Sequence, residues 1–130
     1  MSGRLGSVPT SAEVTVRYLL MIYGEEAGYE AATEEQREAL RNEYGRVAAG
    51  WGDRLRGGDE LAASTSATTV RVRSEEQLVT DGPFAETKEQ LAGFYLLDAR
   101  DLNEAIQLAA KIPPARVGSV EVRPVRELLV

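Results

Sequence analysis

The chain has 130 residues, of which 43% are hydrophobic and 28% charged, which is the composition of one soluble globular domain. It contains no cysteine and no histidine, and this excludes disulfides, thiolate nucleophiles, Ser-His-Asp triads and zinc or haem ligation through those side chains. Any catalysis must therefore use Asp, Glu, Lys, Tyr, Arg or Ser.

Charge and hydropathy argue against nucleic-acid and membrane partners. The formal net charge is −6 and the basic residues are dispersed among acids, so we expect no direct binding to nucleic acid. The longest apolar run, residues 18–23, is far shorter than the roughly 20 residues of a spanning helix. Residues 1–15 are mostly small or polar and lack a signal-peptide pattern, so we predict a flexible N-terminal extension and a cytoplasmic protein.

The first half of the chain predicts a strand, a helix and a short strand. Residues 14–23 are mostly β-branched, aromatic or aliphatic, as in a strand. A helix is expected from Thr33, which opens a Thr-x-x-Gln capping box. Gly57 and Gly58 are predicted to end the helix, and residues 60–64 to form the short strand. Apolar side chains recur along the helix at steps of three and four, namely at Leu40, Tyr44, Val47, Ala48, Trp51 and Leu55.

A hairpin and a further strand follow. Residues 68–73 and 77–80 alternate apolar and polar side chains on either side of a turn at residues 74–76, which indicates a hairpin. Residues 91–98 have apolar side chains at successive positions. They predict a strand that is apolar on both faces.

The last elements are a helix and a strand. A helix is predicted after Asp101, whose side chain suits the N-cap, and it is expected to end at Pro113 and Pro114. Residues 119–125 alternate in the manner of a strand, and Pro124 places that strand at a sheet edge. The predicted buried side of the helix consists of Ala105, Ile106, Ala109 and Ile112.

The order strand, helix, strand, hairpin, strand, helix, strand predicts an α+β fold, a ferredoxin-like βαββαβ sheet with an inserted β-hairpin. Two helices cover only one face of such a sheet. The strands at residues 14–23 and 91–98 are apolar on both faces, so the second face also needs a cover. We predict a homodimer that packs face to face. In the alternative, the hairpin and the N-terminal extension cover that face in a monomer.

The segment at residues 78–90, LVTDGPFAETKEQ, resembles the DGPF signature of YCII-related proteins. Other parts of the family pattern agree in order, at residues 17–23, 67–71, 93–96 and 118–124. The resemblance implies a YCII-related (DGPF) domain over residues 16–128 and the dimeric α/β barrel form of the ferredoxin-like fold. It also implies a functional link to sigma factors of the extracytoplasmic-function type. The His-Asp pair proposed in some relatives cannot exist here, because the chain has no histidine.

The DGPF loop, residues 81–90, is longer and more polar than a tight turn requires. Asp81 or Glu86 could serve as a base or ligand anchor with Lys88 as the counter-charge, while Phe84 covers an apolar ligand. Asp-Gly-Pro is also ordinary turn chemistry, so a structural role for Asp81 stays open. Lys88 and Glu89 have no role in turn geometry, and both are candidate ligand-binding residues.

Three further residues are candidates for a ligand site. Tyr23, at the end of the first strand, and Trp51, on the first helix, could form pocket walls, although both also suit the core. Arg71 could hold a carboxylate or phosphate together with Arg73, or simply protect an edge strand. The sequence shows no metal-ligand spacing and no cofactor motif, so we predict neither.

These features lead to three functional hypotheses. The first is a small-molecule-binding homodimer that serves as an accessory to sigma-factor-based transcription regulation. The second is a cofactor-independent enzyme that uses Asp81 or Glu86 as proton acceptor with Tyr23 or Lys88 as its partner. The third is a protein-interaction module without a pocket.

Overall fold

The computed structural model describes residues 14–113 and 118–127. The predicted extension at residues 1–15 therefore lies outside the described residues, apart from Val14 and Thr15. Short 3₁₀ turns span Gly52–Arg54 and Ser64–Ser66. The strands and helices follow in the order β1 Val16–Gly24, α1 Glu26–Ala31, α2 Glu34–Trp51, β2 Leu55–Glu60, β3 Thr68–Arg73, β4 Glu76–Asp81, β5 Gln90–Ala99, α3 Leu102–Ala109 and β6 Ser119–Pro124.

Four strands form one sheet in the order β2-β5-β1-β6, and all neighbours are antiparallel. The hairpin β3–β4 is a separate two-stranded sheet. This topology is compatible with the predicted ferredoxin-like fold with an inserted hairpin. Within the described part of one chain the sheet is open, with β2 and β6 at its edges, so no barrel closes. Pro124 ends the edge strand β6, where a missing backbone donor is tolerated.

The core lies between one face of the sheet and the helices. Both longer helices contribute to it, Trp51 from α2 and Ala105 and Ala109 from α3. The helices therefore cover the same side of the sheet, as predicted. The other buried members of the core are Tyr18, Leu20, Ile22, Leu97, Ala99 and Ile112.

The opposite side, which we call the far face, is also apolar at its centre. Leu19 and Met21 of β1 lie directly across from Leu96 and Phe94 of β5, and all four are half-buried. The prediction that these strands are apolar on both faces is confirmed. Ion pairs lie along the same strands and their neighbours, between Arg17 and Glu127, Arg56 and Asp98, and Arg123 and Glu121.

The predicted helix start is correct and its predicted end is wrong. Thr33 caps α2 through a complete capping box with Gln36. The helix ends at Trp51, because Gly52 takes a φ of +57°, which a continuing helix cannot accept. Leu55, assigned to the helical stripe from its spacing, begins strand β2 instead.

The glycine pair lies inside a strand. A Cβ on Gly58 would lie 2.5 Å from the Phe94 carbonyl oxygen and 2.6 Å from the Tyr95 ring. The glycine permits close approach of β2 to β5 and does not end a helix. The predicted strand at residues 60–64 is therefore wrong, since the strand ends at Glu60 and Ser64 belongs to a 3₁₀ turn.

Two helix boundaries depend on local signals. The Asp101 side chain caps α3 by accepting a hydrogen bond from the Glu104 backbone amide at 2.9 Å, as predicted. Helix α3 ends at Ala109, before Pro113, and Pro114 lies outside the described residues. The six-residue helix α1 was not predicted and occupies a segment expected to be a loop.

The hairpin forms as predicted but does not cover the far face. Its turn places Ser74 and Glu75 at φ values of 51° and 64°, as in the turns that match the twist of paired strands. The side chains of Val70, Val72 and Val79 are 57%, 60% and 56% exposed. The hairpin half of the monomeric alternative is therefore wrong for the described residues.

Candidate functional site

The end of the DGPF loop is attached to one end of the main sheet. The Ser119 hydroxyl donates a hydrogen bond of 2.8 Å to the Glu89 carboxylate. Tyr23 pairs with Ser119 on one side and with Leu91 on the other. The structure therefore brings Tyr23 and Glu89 to the same end of the sheet. Tyr23 is half-buried, and its hydroxyl lies 4.0 Å from the Met21 sulfur.

A polar network joins the same loop to helix α1. The Gln90 side chain donates to the Thr87 carbonyl at 2.5 Å and accepts from the Glu26 backbone amide at 3.0 Å. The Glu26 carboxylate in turn accepts from the Ser64 amide at 2.6 Å and the Ser64 hydroxyl at 2.9 Å. These bonds occupy the polar groups of the network, so its role is to position the loop.

The start of the loop is a turn at the surface. The Gly82 amide donates to the Ala67 carbonyl at 2.7 Å, and the Thr69 hydroxyl donates to the Gly82 carbonyl at 2.9 Å. Gly82 has a φ of +94°, which favours glycine. Asp81 immediately precedes it as the last residue of β4 and is exposed.

The remaining loop candidates point to solvent. Glu86 and Lys88 are exposed, and Phe84 is 79% exposed. Arg71 is half-buried on β3, across from Leu78. The charged and aromatic candidates Phe84, Glu86 and Lys88 are therefore open to solvent.

Trp51 belongs to a different group of side chains, on the helix face of the sheet. Its ring meets Tyr95 of β5 edge to face, with centroids 4.9 Å apart and an interplanar angle of 83°. Tyr44 of α2 also neighbours Tyr95, with ring centroids 6.4 Å apart and the rings tilted by 41°. We call Tyr44, Trp51 and Tyr95 the aromatic cluster.

Two properties distinguish the aromatic cluster from ordinary core. The indole Nε1–H of Trp51 is buried and has no hydrogen-bond partner among the residues described. Burial raises the pKa of Tyr44, and nearby Tyr95 and Glu60 raise it further. Burial and then Glu60 also raise the pKa of Tyr95. A buried donor without an acceptor costs about 1–3 kcal/mol of stability. A hydrogen-bond acceptor that reached the Trp51 N–H would recover that free energy.

Sequence reasoning found Trp51 but missed the rest of the cluster. Tyr44 was assigned to the apolar stripe and Tyr95 to a strand face. The contact between Tyr44 and Tyr95 depends on where α2 ends and on how closely β2 approaches β5 at Gly58. The available signal was the pair of tyrosines on core-facing positions, since a tyrosine hydroxyl in a core needs a polar neighbour.

No metal site or membrane helix is found in the described ranges. Among residues 14–113 and 118–127, no three acidic side chains come together as a metal site would require. In the same ranges, no helix is long and apolar enough to cross a membrane.

Comparison with known proteins identifies the family. Residues 16–129 match the model of the YCII-related domain, which is most of the chain. The chain belongs to the YCII-related family. The family expected from the loop signature is therefore confirmed. This YCII-related chain is also similar to an uncharacterised protein of Rhizobium meliloti (strain 1021), with 38% identity over 111 residues that cover 82% of this chain and 90% of that protein.

Proposed function

We propose that this YCII-related protein binds a small molecule, without catalysing its conversion, and does so as a homodimer. The observation that carries the proposal is the buried Trp51 indole N–H, which has no partner among the described residues. It lies within an aromatic cluster beneath helix α2, and Tyr44 and Tyr95 of that cluster keep part of their surface accessible. Aromatic walls with a few polar groups are typical of small-molecule sites.

Exposure of the loop candidates favours binding over catalysis. A general base is effective where water is excluded and its proton-transfer partner is within hydrogen-bond reach. Asp81, Glu86 and Lys88 are all exposed on the DGPF loop. Asp81 directly precedes the surface turn in which the Gly82 amide and carbonyl are bonded to Ala67 and Thr69.

The far face supports the homodimer. Its centre is apolar, with Leu19, Met21, Phe94 and Leu96, and the ion pairs Arg56–Asp98 and Arg123–Glu121 lie around that centre. An apolar centre with a charged rim is the usual anatomy of a protein interface. The exposure of the hairpin valines supports the same proposal, because β3–β4 does not bury them against this face.

Ligand binding at the aromatic cluster can be measured directly. We expect at least one compound of a diverse small-molecule library to raise the melting temperature and to change Trp51 fluorescence at the same concentrations. Asp81→Asn is the comparison variant and should leave both responses unchanged. If no compound raises the melting temperature, the binding proposal is wrong. If the chain converts a compound and Asp81→Asn abolishes that turnover, the protein is an enzyme.

We further propose, from the resemblance to DGPF proteins, that this binding serves transcription regulation by sigma factors. That step rests on the resemblance alone. The test is a pull-down with this protein as bait and sigma factors from the same genome as prey. We expect the amount of sigma factor captured to change when a compound that binds in the library screen is added. Capture that is absent with and without ligand would contradict it.

A further inference from the structure

The aromatic cluster reaches the surface beside the edge strand β2. Tyr44 and Tyr95 are half-buried, so each keeps part of its surface accessible, while Trp51 is buried beneath Tyr95. The tilt of 41° between the Tyr44 and Tyr95 rings leaves them neither stacked nor edge to face. Two half-buried tyrosines and a buried tryptophan therefore form an aromatic cluster whose rings have different orientations.

One carboxylate lies on the same side of the sheet as these rings. Gly58 pairs directly with Tyr95, and side chains alternate along a strand, so Glu60 projects to the Tyr95 side. Asp59 pairs with Phe94 and projects to the far face. Glu60 is exposed, and it contributes to the raised pKa of both tyrosines.

The charge beside the rings selects the sign of a ligand. After burial and the neighbouring Tyr95, the groups that raise the pKa of Tyr44 are acidic or phenolic, Glu60 before Tyr29 and Glu43. Burial disfavours any charge at this site, whereas the negative charge of Glu60 opposes a phenolate and attracts a cation. The faces of tyrosine and tryptophan rings are electronegative and attract ammonium groups within about 6 Å of the ring centroid.

We propose that the aromatic cluster binds a small organic ammonium ion, with the cation against Tyr44 and Tyr95 and beside the Glu60 carboxylate. An oxygen acceptor on the same ligand would give the Trp51 N–H the partner it lacks. The inference rests on the proposed small-molecule function and adds the chemical class of the ligand. Amino alcohols such as choline have both groups.

The test compares choline with its uncharged carbon isostere, 3,3-dimethylbutan-1-ol. Trp51 is the only tryptophan of the chain, so its fluorescence reports on the cluster alone. We expect choline to bind about tenfold more tightly than the isostere at constant ionic strength, since a cation–π contact with partial desolvation is worth about that factor. Sodium chloride at the same concentrations should produce no saturable change.

A pair of variants on strand β2 separates the local charge from general electrostatics. Glu60→Gln should weaken choline binding about threefold to fivefold, as expected for loss of an exposed charge partner. Asp59→Asn removes an equal charge on the opposite side of the same strand and should leave choline affinity unchanged. Both residues are exposed, so both variants should keep the melting temperature of the unmodified chain.

Three outcomes would overturn the inference. These are equal affinity for choline and the isostere, no saturable response to choline, and equal effects of the two variants. If an uncharged compound from the library still binds the cluster in any of these cases, the proposed function stands and only the ligand class is wrong. If no compound of any class binds, both fail.

Discussion

Glu104 is the one buried acid among the described residues, and its partners show how the fold accepts it. Its carboxylate is paired with Arg54 at 2.5 Å and with Arg100 at 3.0 Å, and it accepts the Arg100 backbone amide at 2.8 Å. The amide of Arg100 is the largest cause that lowers the pKa of Glu104, with Arg54 contributing next among the favourable groups. The acid therefore connects α3 to the segments that flank β2 and β5.

Loss of this charge should reduce stability in a pH-dependent way. We expect Glu104→Gln to lower the free energy of unfolding by about 1–2 kcal/mol at neutral pH, because a charge-assisted bond is replaced by a neutral one. The folded-state pKa lies below the ordinary value of 4.5, so the stabilisation is complete above that pH and is lost as pH falls through the lowered pKa. Urea titrations of both chains over a range of pH measure it.

The control for this prediction is an exposed acid of the same type. Glu34 pairs with Arg41 at 2.7 Å on the surface of α2, where solvent weakens the attraction. Glu34→Gln should therefore change the unfolding free energy little at any pH. A difference between Glu104→Gln and the unmodified chain that persists unchanged in acid would contradict the ionic role of Glu104.

At the scale of elements, the end of α2 shows what sequence patterns resolve and what they miss. The capping box at Thr33 was predictable because its two hydrogen bonds involve residues three apart. The helix end was not, because three- and four-residue spacing continued to Leu55 and the Gly57-Gly58 pair resembled a stop signal. The role of Gly58 depends on β5, which lies more than thirty residues further along the chain.

The glycine pair provides a matched test of this packing. Gly58→Ala should lower the free energy of unfolding by about 1–3 kcal/mol, since the new Cβ would lie 2.5 Å from the Phe94 carbonyl and force β2 away from β5. Gly57→Ala meets nothing within 4 Å and should have an effect below about 0.5 kcal/mol. Chemical denaturation of both variants checks the pair. Equal effects would mean that the close approach of β2 to β5 does not require Gly58.

At the scale of the molecule, alternation along strands predicted most of the architecture. The two apolar faces followed from side chains two residues apart, as with Leu19 and Met21 opposite Leu96 and Phe94. The element order and the shared helix side followed from residue types, helix caps and the βαββαβ order. The candidate site was less predictable. Loop residues such as Asp81 and Lys88 are polar and close in sequence, so a sequence pattern identifies them, whereas Tyr44 and Tyr95 meet only after folding.

A sheet that is apolar on both sides needs a cover on both. The central claim about the whole molecule is therefore that a second copy covers the far face. Leu19→Arg introduces a charge at the centre of this face. Ile106→Arg is the control, since Ile106 was wrongly predicted on the buried side of its helix and is 50% exposed on α3. We expect Leu19→Arg to separate the two copies and Ile106→Arg to leave them associated.

Sedimentation equilibrium of the full chain at micromolar concentration tests this claim most directly. We predict that the unmodified chain and Ile106→Arg sediment with twice the chain mass of 14.2 kDa, and that Leu19→Arg sediments with the mass of one chain while keeping its far-ultraviolet circular dichroism. An unmodified chain that sediments as a single copy would contradict the account.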